Sequence, residues 1–123
     1  MYLNANRAVR GGNMDRTDIY IGLNNKDSKI QEFADEKYIS ILKKVCISYK
    51  VPFSFSLIEG GYIHENGEYT QENTLMLSLI GTEKDVIEEI AQDLCVFFDQ
   101  ESVLIASSQV EVRSISNRLK DIG

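Results

Sequence analysis

The 123-residue chain has no tryptophan, one proline, one histidine and two cysteines. Each shortage closes off a class of function. With His64 as the sole histidine there is no imidazole cluster for a zinc centre and no spare base for a hydrolytic triad. Cys46 and Cys95 form no CxxC pair, and each falls in a segment with helical periodicity, on or beside its apolar stripe. Both are read as packed, reduced thiols, which points to a reducing cytoplasm and away from a disulfide or metal role. No apolar run approaches the roughly 18 residues of a membrane span, and the N-terminus lacks the apolar stretch of a signal peptide. Neither a GxxxxGK[ST] nor a GxGxxG phosphate loop occurs. A net charge of −6, from 19 acidic and 13 basic side chains, is wrong for a duplex DNA binder, whose affinity comes from neutralising phosphates. It leaves room for a small phosphorylated ligand held by two or three local Arg or Lys side chains.

What is present suits one small domain. Hydrophobic residues make up 43% of the chain and charged residues 26%, enough for a single core under an ordinary soluble surface. Residues 1–16, rich in Asn, Arg and Gly, are expected as a flexible arm, residues 17–117 as the binding domain, and residues 118–123 as a tail. Within the domain, Ile19, Ile21 and Leu23 alternate with Tyr20 and Gly22, a strand pattern over Asp18–Leu23. From about Asp35, Tyr38, Ile41, Leu42, Val45 and Tyr49 fall at helical spacing until Val51-Pro52 ends the run. Phe53, Phe55 and Leu57 open a second strand, Asn66-Gly67 marks a hairpin turn, and Leu75, Leu77 and Leu79 set one face of the returning strand. Thr82 is a candidate cap for a helix carrying Val86, Ile87, Ile90, Ala91 and Leu94 inward, with Asp85 as the weaker capping-box acid. Ser102–Ala106 returns as a strand, and Gln109–Ile115 extends it or forms another edge.

The order β-α-β-β-α-β predicts an α+β, ferredoxin-like fold: an antiparallel sheet with both helices on one face. The other face carries Met76, Ile80 and Leu104, too apolar for water, and is expected to serve oligomerisation or ligand binding.

Candidate binding residues follow from chemistry, each with a plainer rival. Glu72-Asn73-Thr74 offers donors and acceptors for ribose hydroxyls or base edges, or is simple edge-strand polarity. Asp99-Gln100-Glu101-Ser102 is a polar link that could face a ligand or only connect two elements. Arg113, on the side of its strand opposite Val110 and Val112, could join Arg118 on a pyrophosphate, or both could be solvated. Tyr62, Tyr69, Phe97 and Phe98 could stack on a purine, although Phe97 or Phe98 also suits the core. His64 beside the hairpin turn and the acid pairs Glu88-Glu89 and Glu65 with Glu68 read as solvated. Nothing here supplies a catalytic constellation, a metal site or a cofactor site, so the chain reads as a binder that is not an enzyme.

Three segments resemble a known family. Tyr20–Gln31 (YIGLNNKDSKIQ), Gly61–Gly67 (GYIHENG) with Glu72–Leu75 (ENTL), and Phe98–Val103 (FDQESV) look like the signature stretches of the first type of phage Thoeris anti-defence protein. The likeness spans roughly residues 18–106, and the outline also resembles a group of small bacterial domains of unknown function. The resemblance implies a non-catalytic sponge of the host cell cytoplasm, a homodimer often assembled into hexamers. It would sequester glycocyclic ADP-ribose, the cyclic ADP-ribose-type signal of a TIR-domain enzyme, with some members also holding cyclic di- or trinucleotides at a second site. On that reading Arg113 and Arg118 take the phosphates, Glu72, Asn73 and Gln100 the sugar or base edges, and Phe98 or Tyr69 the stacking; Lys43 and Lys44 are candidates for the second phosphate site. Asp99 departs from the family, which often has Asn there, and its charge suits a sugar hydroxyl or solvent better than a phosphate. The alternatives are a protein-interaction module using the open sheet face and a nucleotide-processing enzyme on the same fold.

Overall fold

The structure, a computed structural model, describes residues 9–117. Its elements run β1 (Val9–Gly22), α1 (Asp35–Ser48), β2 (Ser54–Ile63), β3 (Tyr69–Ile80), α2 (Lys84–Phe97) and β4 (Leu104–Ile115). The sheet order is β2-β3-β1-β4 with every pair antiparallel, the ferredoxin-like arrangement expected from the element order. Ile19 stands opposite Leu77 and Ile21 opposite Leu75, so the alternating apolar residues of β1 and β3 share one face. Both helices cover that face. Ile19, Ile21, Leu23, Leu75, Leu77 and Leu79 are fully buried against Leu42 and Cys46 of α1 and Ile90 and Leu94 of α2. A hydrogen bond from the Tyr49 hydroxyl to Asp93 Oδ2 (2.7 Å) ties the end of α1 to α2. It raises the phenol to about 12, chiefly because the bond to the carboxylate favours the protonated form.

The turns follow local chemistry. Gly67 takes φ +89 in the Asn66-Gly67 turn, where the Asn66 side chain accepts the Glu68 amide (3.0 Å). Gly81 takes φ +73 between β3 and α2. That freedom is what a residue without Cβ provides.

Two expectations are corrected. β1 begins at Val9, so residues 9–16, assigned to a flexible arm, are strand. They pair with β4 from Val9 opposite Ile115 to Arg16 opposite Ser108. Backbone pairing alone makes this ribbon, and because it reaches past the helices its sequence carries no core-facing alternation; residues 1–8 and 118–123 lie outside the described residues. β4 is accordingly one strand through Ile115. Thr82 does not cap α2. The N-cap is Glu83 without a side-chain bond, the Thr82 hydroxyl is buried with no partner, and Asp85 accepts only the adjacent Val86 amide (3.0 Å). No helix among the described residues is long and apolar enough to cross a membrane.

Two outcomes follow from the core. Leu77→Ala, in the middle of the buried sheet face, should lower unfolding free energy in urea by about 2–5 kcal/mol, while Ile47→Ala, 65% exposed on α1, should change it by no more than about 0.5 kcal/mol. Burial pushes the Cys46 thiol up to about 11 from an ordinary 9.0. At pH 8 a thiol reagent should therefore titrate only Cys95 in the native protein, and both cysteines after unfolding. Because the folded value is the higher one, Cys46 favours the native state fully below pH 9, and that contribution fades between pH 9 and about 11.

Candidate functional site

At the end of the sheet where β1 stops, the β1–α1 loop is laced to two other segments. Leu23 donates its amide to the Asn73 carbonyl (2.9 Å), and the Asn24 side chain donates to the Gln71 carbonyl (3.2 Å), continuing the β1–β3 pairing beyond its last residue pair, Gly22 with Thr74. The Asn24 amide donates to Glu72 Oε2 (3.1 Å), and the Gln100 side chain donates to the Asn24 carbonyl. Asn25 turns the loop, accepting the Asp27 and Ser28 amides (2.8 and 3.1 Å) on its side-chain oxygen and donating to Asp99 Oδ2 (3.5 Å). The Lys26 amide donates to the Asp99 carbonyl (3.1 Å). Asp99 itself holds φ +51, a backbone state that costs energy for a residue with a Cβ and gathers at functional sites. Residues 24–28, 72–73 and 99–100, drawn from the three segments singled out in the sequence, thus meet at one place, with Gln71 beside them.

Glu72 is the centre of this end. It stands opposite Gly60 on β2, and its carboxyl group lies where a Cβ on Gly22 would be, 2.5 Å from that position. Any other residue at 22 would displace it. Strand alternation puts Glu72, Gly22 and Gly60 on the face of the sheet away from the helices. The carboxylate therefore lies over Gly22, and Gly60 stands beside the Glu72 backbone. Ile58 and Thr74 form the neighbouring row with Gly22, followed by Ser56, Met76, Tyr20 and Leu104. Tyr62, 46% exposed, edges the depression and packs edge-on against His64 at 4.9 Å. Further along the same face Arg16 Nε and the Ser78 hydroxyl both donate to Asp18 Oδ1 (3.2 and 2.7 Å).

The end is acidic: β2, β3 and the turn between them, residues 54–80, carry Glu59, Glu65, Glu68 and Glu72 with no Lys or Arg. The lysines at this end, Lys26 and Lys29, are exposed on the outer turn of the loop. Among the described residues no group of three or more His, Cys, Asp or Glu side chains is arranged to hold a metal ion.

Of the residues read from sequence, Glu72, Asn73 and Gln100 come together around Asn24, but not as one ligand-facing set. Asn73 projects to the helix side, where its side chain donates to Gln31 Oε1 (3.3 Å) and Gln31 in turn donates to Asp35 (2.7 Å). Gln100 is half-buried and committed to the loop. Phe98 is only 3% exposed and packs edge-on against Tyr38 at 5.3 Å, at the edge of a small cavity of about 90 Å³ that Asn25 and Asp99 also line. Tyr69 is 65% exposed, with its ring across Gly61. Arg113 stands opposite Gly11. Eleven strand positions separate Gly11 from Gly22, roughly 35 Å, so within one chain Arg113 does not reach the Glu72 end. Arg118 lies outside the described residues. Lys43 and Lys44 line an open depression of about 360 Å³ on α1 with Glu36, Ile39 and Ser40, and the Lys43 ammonium sits 5.7 Å from the Phe55 ring. Sequence reasoning missed Gly22, Gly60 and Asn24. Their signal was two glycines in otherwise regular strand patterns, which marks a close approach.

No protein-family model matches the chain, and no curated protein matches it. Solved structures do. A phage SAM lyase in complex with S-methyl-5'-thioadenosine superposes with a TM-score of 0.61 at 20% identity, covering 86% of this chain and 92% of that one. The same lyase in its apo state gives 0.57 at 20% identity, over 87% and 91%. CutA from Synechococcus elongatus PCC7942 gives 0.55 at 9% identity, over 88% and 86%, and the GlnK–ATP complex of B. subtilis gives 0.54 at 15%, over 82% and 84%. At these identities the likeness is one of fold, and the chain shares the α+β architecture of these proteins.

Proposed function

We propose that the chain binds an adenosine-bearing sulfonium of the S-adenosylmethionine type in the Glu72 depression and releases S-methyl-5'-thioadenosine from it. The observation that carries this reading is the Glu72 carboxylate lying over Gly22 on the open sheet face that also carries Tyr62, with no Lys or Arg on β2 or β3. A carboxylate and an aromatic face attract a cation, and a carboxylate also accepts bonds from ribose hydroxyls. A pyrophosphate would be repelled there. The fold shared with a SAM lyase that holds S-methyl-5'-thioadenosine supports the same choice.

That His64 is the sole histidine, which counted against catalysis in the sequence, carries no weight for such a substrate. A sulfonium brings its own leaving group: the substrate's own carboxylate oxygen can form the new bond to the carbon, closing a lactone, while the electron pair of the breaking C–S bond stays on sulfur and the neutral thioether departs without protonation. Charge is lost on the way to products, so positioning and desolvation of the substrate are what the protein must supply.

A second reading is sequestration of glycocyclic ADP-ribose or a related cyclic nucleotide by an immune-evasion sponge. The meeting of the three resemblance segments around Asn24 favours it, and Lys26 and Lys29 would have to meet the phosphates. The experiment is incubation of the purified protein with S-adenosylmethionine, and separately with cyclic ADP-ribose isomers, followed by melting curves and chromatography of the small molecules. The expected outcome is S-methyl-5'-thioadenosine accumulating with time, reduced about 10- to 100-fold by Glu72→Gln, the scale of a lost bond to a charged group. A large stabilisation by a cyclic nucleotide recovered intact would establish the sponge instead. No product and no stabilisation by either would leave a protein-interaction module.

A further inference from the structure

Glu72 is half-buried on the open face, and one of its two carboxylate oxygens has a partner among the described residues. Oε2 accepts the Asn24 amide (3.1 Å), and no described group bonds Oε1. A carboxylate on a long side chain samples several rotamers unless something fixes it. Gly22 removes the obstacle, since its missing Cβ leaves the space the carboxyl group fills. The Asn24 amide supplies the hold, a bond strengthened by the charge on its acceptor.

That amide lies just beyond the last β1–β3 pair, at the start of the stretch between Gly22 and Asp35 that has no regular structure. Connecting segments of this kind are mobile unless they are tied down. One tie comes from the end of α2. There the Asp99 amide donates to the Val96 carbonyl (3.3 Å) and the Gln100 amide to the Cys95 carbonyl (2.9 Å), the paired bonds of a Schellman turn. Asp99 takes the left-handed position of that turn, which glycine usually fills, and its carbonyl and carboxylate accept from Lys26 and Asn25. The turn fixes the Gln100 backbone, so its half-buried side chain reaches the Asn24 carbonyl from a rigid base. A second tie comes from β3, where the Gln71 carbonyl accepts the Asn24 side chain (3.2 Å). Asn24 is thus gripped from α2 and from β3, with its amide aimed at Glu72.

Water alone would satisfy a half-buried carboxylate, so holding it in one rotamer gains the fold little. It matters to what the carboxylate meets: locking a side chain through neighbouring hydrogen bonds holds a binding group ready. We infer that Gln100 is a positioning residue: acting through Asn24, it fixes the Glu72 carboxylate over Gly22 and leaves Oε1 to the ligand. Gln100 is then not a contact for a sugar or base edge but a brace behind the residue that makes one. The ligand at Oε1 rests on the reading proposed above; the brace does not.

Nuclear magnetic resonance tests the brace without any ligand. In the wild type the Asn24 amide proton should lie downfield and move upfield as carboxylates are protonated between about pH 6 and 3. Glu72→Gln should abolish that movement, which separates it from the titration of Asp99 beside Asn25. Gln100→Met, of similar length but without a donor, should reduce the movement about twofold or more, since it removes one hydrogen bond of ordinary strength. The Ile19 and Leu77 amides should stay in place. Gln100→Lys, which keeps a donor at that reach, should restore the movement. An Asn24 amide indifferent to Glu72, or one that moves as fully in Gln100→Met as in the wild type, would overturn the inference. Under the ligand reading, Gln100→Met should also slow product formation at low S-adenosylmethionine by about 2- to 10-fold. In a Glu72→Ala background it should cost nothing further, because the brace acts only through that carboxylate. Equal losses in the two backgrounds would make Gln100 a ligand contact in its own right and overturn the brace. If the wild type forms no product, the ligand reading fails, and the Asn24 spectra decide the brace by themselves.

Discussion

The register between β1 and β3 is the constraint on which the rest depends. Setting Ile19 against Leu77 and Ile21 against Leu75 puts every apolar residue of the two central strands on one side, where α1 and α2 bury them. A slip of one residue would turn the same set outward. The register also decides what sits at the sheet's end. It places Thr74 opposite Gly22 and so brings Glu72, two residues further out on the same face, over Gly22, which has no side chain to displace it. Core and site are therefore fixed by one alignment, and the site inherits the rigidity of the buried strands although its carboxylate lies on the open face.

That dependence explains why the fold was legible in the sequence and the site only partly so. Period-two alternation in Ile19, Ile21 and Leu23 and in Leu75, Leu77 and Leu79, helical spacing in α1 and α2, and Asn66-Gly67 at the turn all arise from burial or local backbone chemistry. They leave a mark within a few residues of sequence. The ribbon at residues 9–15 leaves none. It is held by backbone bonds to β4, about a hundred positions away in the chain, and the exposed residues 11–15 follow no apolar alternation. Phe98 was ambiguous for the same reason: adjacent aromatics at the end of a helix cannot both face inward, and only packing against Tyr38 decides between them. Glu72, Asn73 and Gln100 were correctly grouped as polar residues at element ends, but their directions, set by β3 alternation and by the loop at Asn24, could not be read from type alone.

Arg113 is the instructive case. Its chemistry pointed to an anion partner, and the register places it roughly 35 Å from the Glu72 end of its own chain. The same register sets it on the face of the ribbon opposite Val110 and Val112, exposed and two positions beyond Glu111, so the residue type alone said nothing of which groups it would stand near.

The electrostatics of the Glu72 end also set what chemistry it can support. A carboxylate at the edge of an uncovered face is solvated in an isolated chain, where its attraction for a cation is weak; covering the face lowers the local dielectric and strengthens that attraction severalfold. The same covering would make an unpaired carboxylate costly, so under the ligand reading proposed above the sulfonium itself would supply the compensating charge, and an anionic ligand group would have to be held away from Glu72.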